Sequence, residues 1–155
     1  MFLPRKILEE KLRKMLAEDI GQGDITTALI VPEGSKAEAQ VVAKEPGVVA
    51  GIEEAKILLE GLGLKVEALV ADGEKAKTKQ VLLKIFGDTR TILSSERTLL
   101  NILSRMSGIA TTTKKLTEKI QRAGFKIRVA STRKTAPGLL YFDKKAVLIG
   151  GGDTH

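Results

Sequence analysis

Cysteine is absent from the 155 residues, which removes disulfides, thiolate metal sites and cysteine nucleophiles together and fits a reducing compartment. Tryptophan is absent too, and one Tyr with four Phe leaves little surface for stacking nucleic-acid bases. The single histidine, His155, stands two residues from Asp153, and neither spacing nor ligand number suffices for a metal site. Long apolar runs are also missing. The opening M-F-L-P-R-K-I-L-E-E-K becomes charged too soon for a signal-peptide core, and no stretch approaches a membrane span, so a soluble cytoplasmic protein without a membrane partner is expected. What is present is a chain that is 43% apolar and 29% charged, enough to build one full core or one small domain and part of another.

The net charge of +7 is unevenly placed. Residues 1–110 hold 16 basic and 16 acidic side chains, whereas residues 111–155 hold 10 basic and 3 acidic, so 10 minus 3 accounts for the whole excess. A basic C-terminal segment draws anionic ligands. A nucleic-acid face would satisfy the same arithmetic, but no recognition helix accompanies it, and no nucleic-acid partner is expected.

Periodicity predicts a helix over 4–18, with Pro4 at its start and Leu8, Leu12, Met15 and Leu16 on one face. The run Glu18 to Thr27, with two glycines and three acids, reads as a helix end followed by a turn built by Asx and Thr side chains; a metal loop is the competing reading. Strand-like segments follow over 37–52, 66–70 and 81–86. A short helix from Ile52 stops at Gly61 or Gly63, and Asp72-Gly73 marks a turn. Strands turning back beside helices predict a small α+β domain over 1–110.

Ser94 or Ser95 is placed to cap the next helix, with Glu96 in its first turn and Gly108 as its stop. Arg97, Asn101 and Arg105 fall four apart on its polar face, which reads either as solvated or as reaching an anionic ligand. A further helix is predicted over 110–123. Phe125, Ile127 and Val129 then alternate with Lys126 and Arg128 as a strand, and Lys144–Ile149 looks like the next element. Helix, strand and loop in that order look like the opening of an α/β barrel or of an open parallel sheet, folds whose ligands sit on loops at the carboxyl ends of strands. The strand would deliver S-T-R-K-T-A-P-G-L (131–139) to such a loop. There Arg133 offers a planar fork and Lys134 a point charge, suited to carboxylates or phosphates; solvated loop cations are the plain alternative.

Five blocks in order, E-D-I-G-Q-G-D-I-T-T (18–27), G-V-V-A-G (47–51), S-E-R-T-L-L-N-I-L-S-R-M-S-G-I-A-T (95–111), S-T-R-K-T-A-P-G-L (131–139) and K-K-A-V-L-I-G-G-G-D-T-H (144–155), resemble the nicotinate-nucleotide pyrophosphorylase (carboxylating), or quinolinate phosphoribosyltransferase, family. The resemblance implies an enzyme of NAD biosynthesis that joins quinolinate to 5-phosphoribosyl 1-pyrophosphate, yielding nicotinate mononucleotide, pyrophosphate and carbon dioxide. Mg²⁺ would accompany the donor, with its ligands beyond residue 155. It also implies a small α/β N-terminal domain over 1–110 packed on the first part of an incomplete α/β barrel over 111–155, and a homodimer, or a higher homo-oligomer, in which the small domain of one subunit covers the barrel mouth of the other. Arg97 then reaches a quinolinate carboxylate across the boundary, Arg133 and Lys134 line the pocket, and His155 lies beside it. Thr132 and Thr135 are lesser candidates for ligand oxygens, and Lys144 matches a pocket-proximal or structural lysine.

The family pattern continues past residue 155, so this chain alone is expected to be inactive. Leu140 stands where the family often carries arginine, which keeps a related molybdate-system phosphoribosyltransferase-like protein open. A non-catalytic basic binding or oligomerisation module is the non-enzyme alternative.

Overall fold

One 34-residue helix, α4 (Thr89–Arg122), occupies the stretch where the sequence predicts two. The computed structural model describes residues 3–21 and 23–154. Before α4 come α1 (Arg5–Ile20), α2 (Ile25–Ile30), β1 (Lys36–Val42), β2 (Gly47–Val48), α3 (Ile52–Gly61), β3 (Lys65–Ala68), β4 (Lys75–Ala76) and β5 (Val81–Asp88). After it come β6 (Ala130–Ser131), α5 (Leu140–Ile149) and β7 (Asp153–Thr154).

Helix α4 starts earlier than the serines suggest because Asp88 is its cap, accepting from the Thr91 backbone and hydroxyl, both at 2.8 Å. Those bonds hold the Asp88 carboxyl below the usual carboxylate range, the backbone bond first. Ser94 and Ser95 sit inside the helix and donate back to the carbonyls of Arg90 and Thr91 at 2.8 Å. Gly108 does not stop it. An interior glycine costs only about 1 kcal/mol against alanine, and buried Leu99, Ile102, Leu103, Met106 and Ala110 hold α4 on both sides of it.

The N-terminal strands form an antiparallel sheet in the order β1-β5-β3, with β2 and β4 as a separate pair. One core joins this sheet to α3 and the first half of α4 through Val49, Leu59, Leu83, Ile85, Leu99 and Leu103. A second joins α1, α3, α4 and α5 through Leu8, Leu12, Leu58, Met106, Phe142 and Ala146. Both use α4, which is why it stays one rod.

The glycine-rich segments are places of close backbone approach. Val48 and Ala50 donate their amides to Thr111 Oγ1 and Ser107 Oγ of α4 at 2.8 and 3.0 Å, and a Cβ on Gly47 would lie 2.7 Å from that threonine oxygen. A Cβ on Gly150 would lie 2.5 Å from the Ala110 carbonyl oxygen, so residues 150–152 lean directly on α4.

After α4 the chain enters the barrel-like part. Strands β6 and β7 pair in parallel, Ala130 with Asp153 and Ser131 with Thr154, and the connection between them carries α5. That is a βαβ unit with an open sheet, the start of an incomplete α/β barrel. The strand predicted over 125–129 does not form there; pairing begins at Ala130, in β6. The alternation is real, but among the described residues β6 pairs with β7 alone, over two residues, so Phe125 and Ile127 remain 61% and 65% exposed.

Candidate anion-binding site

The carboxyl end of β6 delivers its residues into a turn. Lys134 N–H donates to Thr132 Oγ1 at 3.1 Å and Thr135 N–H to the Arg133 carbonyl at 3.1 Å, closing a tight loop over 132–135. Thr132, Arg133 and Lys134 are exposed and Thr135 is half-buried. Neither the Arg133 nor the Lys134 side chain makes a hydrogen bond or ion pair among the described residues.

The acids of this segment are committed elsewhere. Glu118 pairs with Lys75 at 3.3 Å and with Arg122 at 3.8 Å, Asp143 with Arg105 at 2.7 Å, and Asp153 with Arg128. Among the described residues the turn therefore keeps an uncompensated positive charge where a βαβ unit presents ligands, an arrangement that carboxylates or phosphates would neutralise.

Arg97 lies two turns N-terminal to Arg105 on α4 and is 75% exposed on its side chain. Its guanidinium is 3.6 Å from Asp19, at the end of α1. Asp24 belongs to the same acidic run. It caps α2 by accepting from Thr27 N at 3.0 Å, and its carboxyl is held low first by its bonds to Thr27 and, less strongly, by Arg97. The run Glu18 to Thr27 is thus a helix end and cap that faces Arg97. The sequence did not show that pairing, since nothing in their spacing ties residue 19 to residue 97. No hydrogen bond or ion pair among the described residues joins Arg97 to the 131–135 turn. His155 lies outside the described residues.

Arg105, grouped with Arg97 on the polar stripe, is not available to a ligand in the same way. Asp143 grips it through Nε at 2.7 Å and Nη2 at 2.9 Å, raising its already high pKa and tying α4 to α5. A second tie joins α3 to α5. Glu54 is fully buried and accepts from Tyr141 Oη at 2.9 Å and Lys145 Nζ at 2.7 Å, while Glu53 also meets Lys145. Burial, followed by the adjacent Glu54 carboxylate, pushes the Tyr141 hydroxyl up to about 12. Lys144, one residue earlier, is buried as well, and its Nζ reaches Ser131 Oγ at 2.8 Å and the Thr132 carbonyl at 2.9 Å.

No group of three or more His, Cys, Asp or Glu side chains among the described residues could hold a metal ion. The described residues do not fit a Mg²⁺ site. A cleft of about 750 Å³ lies between α1, α3 and the chain after β3, beside Leu8, Ile57, Glu60 and Asp72, and none of the predicted site residues lines it. The turn at 131–135 is one wall rather than an enclosure. No helix among the described residues is long and apolar enough to cross a membrane.

Comparison with known proteins gives the wall a context. The profile of the quinolinate phosphoribosyl transferase N-terminal domain matches residues 24–107, and that of the C-terminal domain of the same enzyme matches 109–155. The chain is 48% identical over 144 residues to a probable nicotinate-nucleotide pyrophosphorylase [carboxylating] of Methanocaldococcus jannaschii, covering 93% of this chain and 50% of the relative. It is 41% identical over 144 residues to the corresponding protein of Methanothermobacter thermautotrophicus, covering 93% and 52%. Among solved structures it is similar to NadC from Streptococcus pyogenes, with a TM-score of 0.90 and 32% identity over 99% of this chain and 55% of that one. The nicotinate-nucleotide pyrophosphorylase of Francisella tularensis gives 0.88 and 34%, again over 99% and 55%. The chain spans about half the length of the curated relatives it matches. With both profiles in register across α4, it belongs to the quinolinate phosphoribosyl transferase family.

Proposed function

We propose that this chain supplies the quinolinate-facing wall of a phosphoribosyltransferase that makes nicotinate mononucleotide, pyrophosphate and carbon dioxide from quinolinate and 5-phosphoribosyl 1-pyrophosphate in NAD biosynthesis. The observation that carries the reading is the 132–135 turn, where Arg133 and Lys134 stand without an acid partner among the described residues at the carboxyl end of a parallel strand. The names of the relatives supply the substrate class. Residues 1–110 act as the small domain and 111–155 as the start of the barrel, in a cytoplasmic enzyme.

Quinolinate is a dianion. Arg133 and Lys134 would donate to its carboxylates, with Thr132, Thr135 and His155 as flanking donors and Arg97 arriving from a second copy of the chain in a homodimer. A fixed array of cations orients the ring so that its nitrogen faces the anomeric carbon of the donor, and orientation is what this site contributes most. The nitrogen forms the new bond as pyrophosphate departs with the electron pair of the broken carbon–oxygen bond. The resulting pyridinium accepts the electrons released when the adjacent carboxylate leaves as carbon dioxide, and a proton then takes its place on the ring carbon. No side-chain nucleophile is required.

The test is calorimetric titration of quinolinate into the chain. Arg133→Ala and Arg97→Ala should each weaken binding by roughly tenfold or more, the size of a lost charge-assisted hydrogen bond. Unchanged affinity in both variants would refute the assignment.

A further inference from the structure

Lys144 and Lys145 are consecutive residues of α5, and the structure treats them differently. Lys145 meets two carboxylates, those of Glu53 and Glu54. Lys144 is only 5% exposed and meets none among the described residues. Its three contacts are Ser131 Oγ at 2.8 Å, the Thr132 carbonyl at 2.9 Å and the Ser131 carbonyl at 3.4 Å. Among the described residues the ammonium is hydrogen-bonded but has no counter-ion, and the nearest acid in sequence, Asp143, is held by Arg105. A buried charge without a counter-ion is costly, and a methionine would fill the same space without that cost.

All three acceptors belong to the last residue of β6 and the first residue of the turn. Because a peptide unit is planar and trans, holding the Thr132 carbonyl against Lys144 sends the Arg133 N–H to the opposite side. That N–H has no acceptor among the described residues, while the next two amides are used to close the turn. We infer that Lys144 is a positioning residue: it pins successive carbonyls at the end of β6 and thereby sets the 132–135 turn, with the Arg133 backbone amide presented to an anionic carboxylate. The inference rests on the proposed quinolinate site for what the turn receives. The pinning itself stands on the contacts of Lys144.

The experiment compares the chain with its Lys144→Met, Ser131→Ala and Arg133→Ala variants. Melting temperature, amide hydrogen exchange at Lys134 and Thr135, and calorimetric titration with quinolinate are measured on each. Lys144→Met should melt at or above the parent temperature, because the released acceptors sit at an exposed turn where water reaches them. Its Lys134 and Thr135 amides should exchange about tenfold faster or more, and its affinity for quinolinate should fall by about tenfold. A lower melting temperature with unchanged exchange and unchanged affinity would make Lys144 a packing residue and overturn the inference. If Lys144→Met does not fold, Ser131→Ala, which removes the Oγ acceptor of Lys144 together with the bond that this hydroxyl donates to the Asp153 carbonyl at 3.3 Å, decides by the same exchange readout. Weakened binding in Arg133→Ala but not in Lys144→Met overturns the role of Lys144 and leaves the proposed function standing. Absence of quinolinate binding in the parent chain overturns the proposed function, and exchange at Lys134 and Thr135 alone then decides for or against the pinning.

Discussion

Two regions of the molecule answer opposite demands. In the body built on α1, α3, α4, α5 and the N-terminal sheet, apolar side chains close two cores, and the buried Glu54 carboxylate is held through Oε1 by Tyr141 and Lys145. In the stretch from Gly124 to Leu139, Phe125 and Ile127 face outward and Arg133 and Lys134 have no acid partner among the described residues. The first region is finished by its own residues. The second is a surface whose strand alternation and charge find no neighbour among the described residues, and the contrast separates residues that hold the fold from residues left open to solvent.

The largest expected effect tests the finished region. Lys145→Ala leaves the Glu54 carboxylate buried without its cation, and urea unfolding should show a loss of about 3–5 kcal/mol, the usual cost of breaking a buried pair from one side. Gly150→Ala comes next, because its Cβ would lie 2.5 Å from the Ala110 carbonyl oxygen. Forcing α4 and the 150–152 segment apart should cost about 1–3 kcal/mol in the same assay.

Alkaline titration probes the same tie. The Tyr141 pKa in the folded chain is raised to about 12, above its ordinary value near 10, so the folded state holds that proton more tightly than the unfolded state. Its contribution is therefore complete below about pH 10 and declines as pH rises towards 12. Burial alone would lower Lys145, but the carboxylates of Glu53 and Glu54 prevail and raise it, which has the same sign and extends the decline. Unfolding curves should show stability falling across that window, and falling less in Tyr141→Phe.

The smallest effect tests the other region. Arg133→Ala should leave unfolding free energy within about 0.5 kcal/mol of the parent while its quinolinate affinity drops. A large stability loss there would erase the distinction between the two regions.

Much of this layout was legible in the residues. The Leu8, Leu12 and Leu16 stripe gave α1, the Asp72-Gly73 step gave a turn whose aspartate caps α3 through the Ile52 amide at 2.9 Å, and the cation pair fell at a strand end as expected. The misses have physical causes. Gly108 and the two serines carry local stop and cap signals that tertiary packing outweighs over a helix shared by two cores. Alternation over 125–129 reports which faces a strand would offer, not whether a partner strand exists. In the candidate site, Arg133 and Lys134 were readable because exposed cations look polar in any pattern. The burial of Lys144 and the meeting of Asp19 with Arg97 were not, because both depend on contacts between separate elements.

The central claim is that the exposed wall is completed by a second copy of the chain through Arg97. Arg97→Ala and Arg133→Ala chains, each weakened in quinolinate binding, can be mixed and titrated together. Each subunit of a mixed dimer lends what the other lacks at one of its two sites, so parental affinity should return at about a quarter of the sites under random pairing. No recovery on mixing, with both variants folded and dimeric, would contradict the claim.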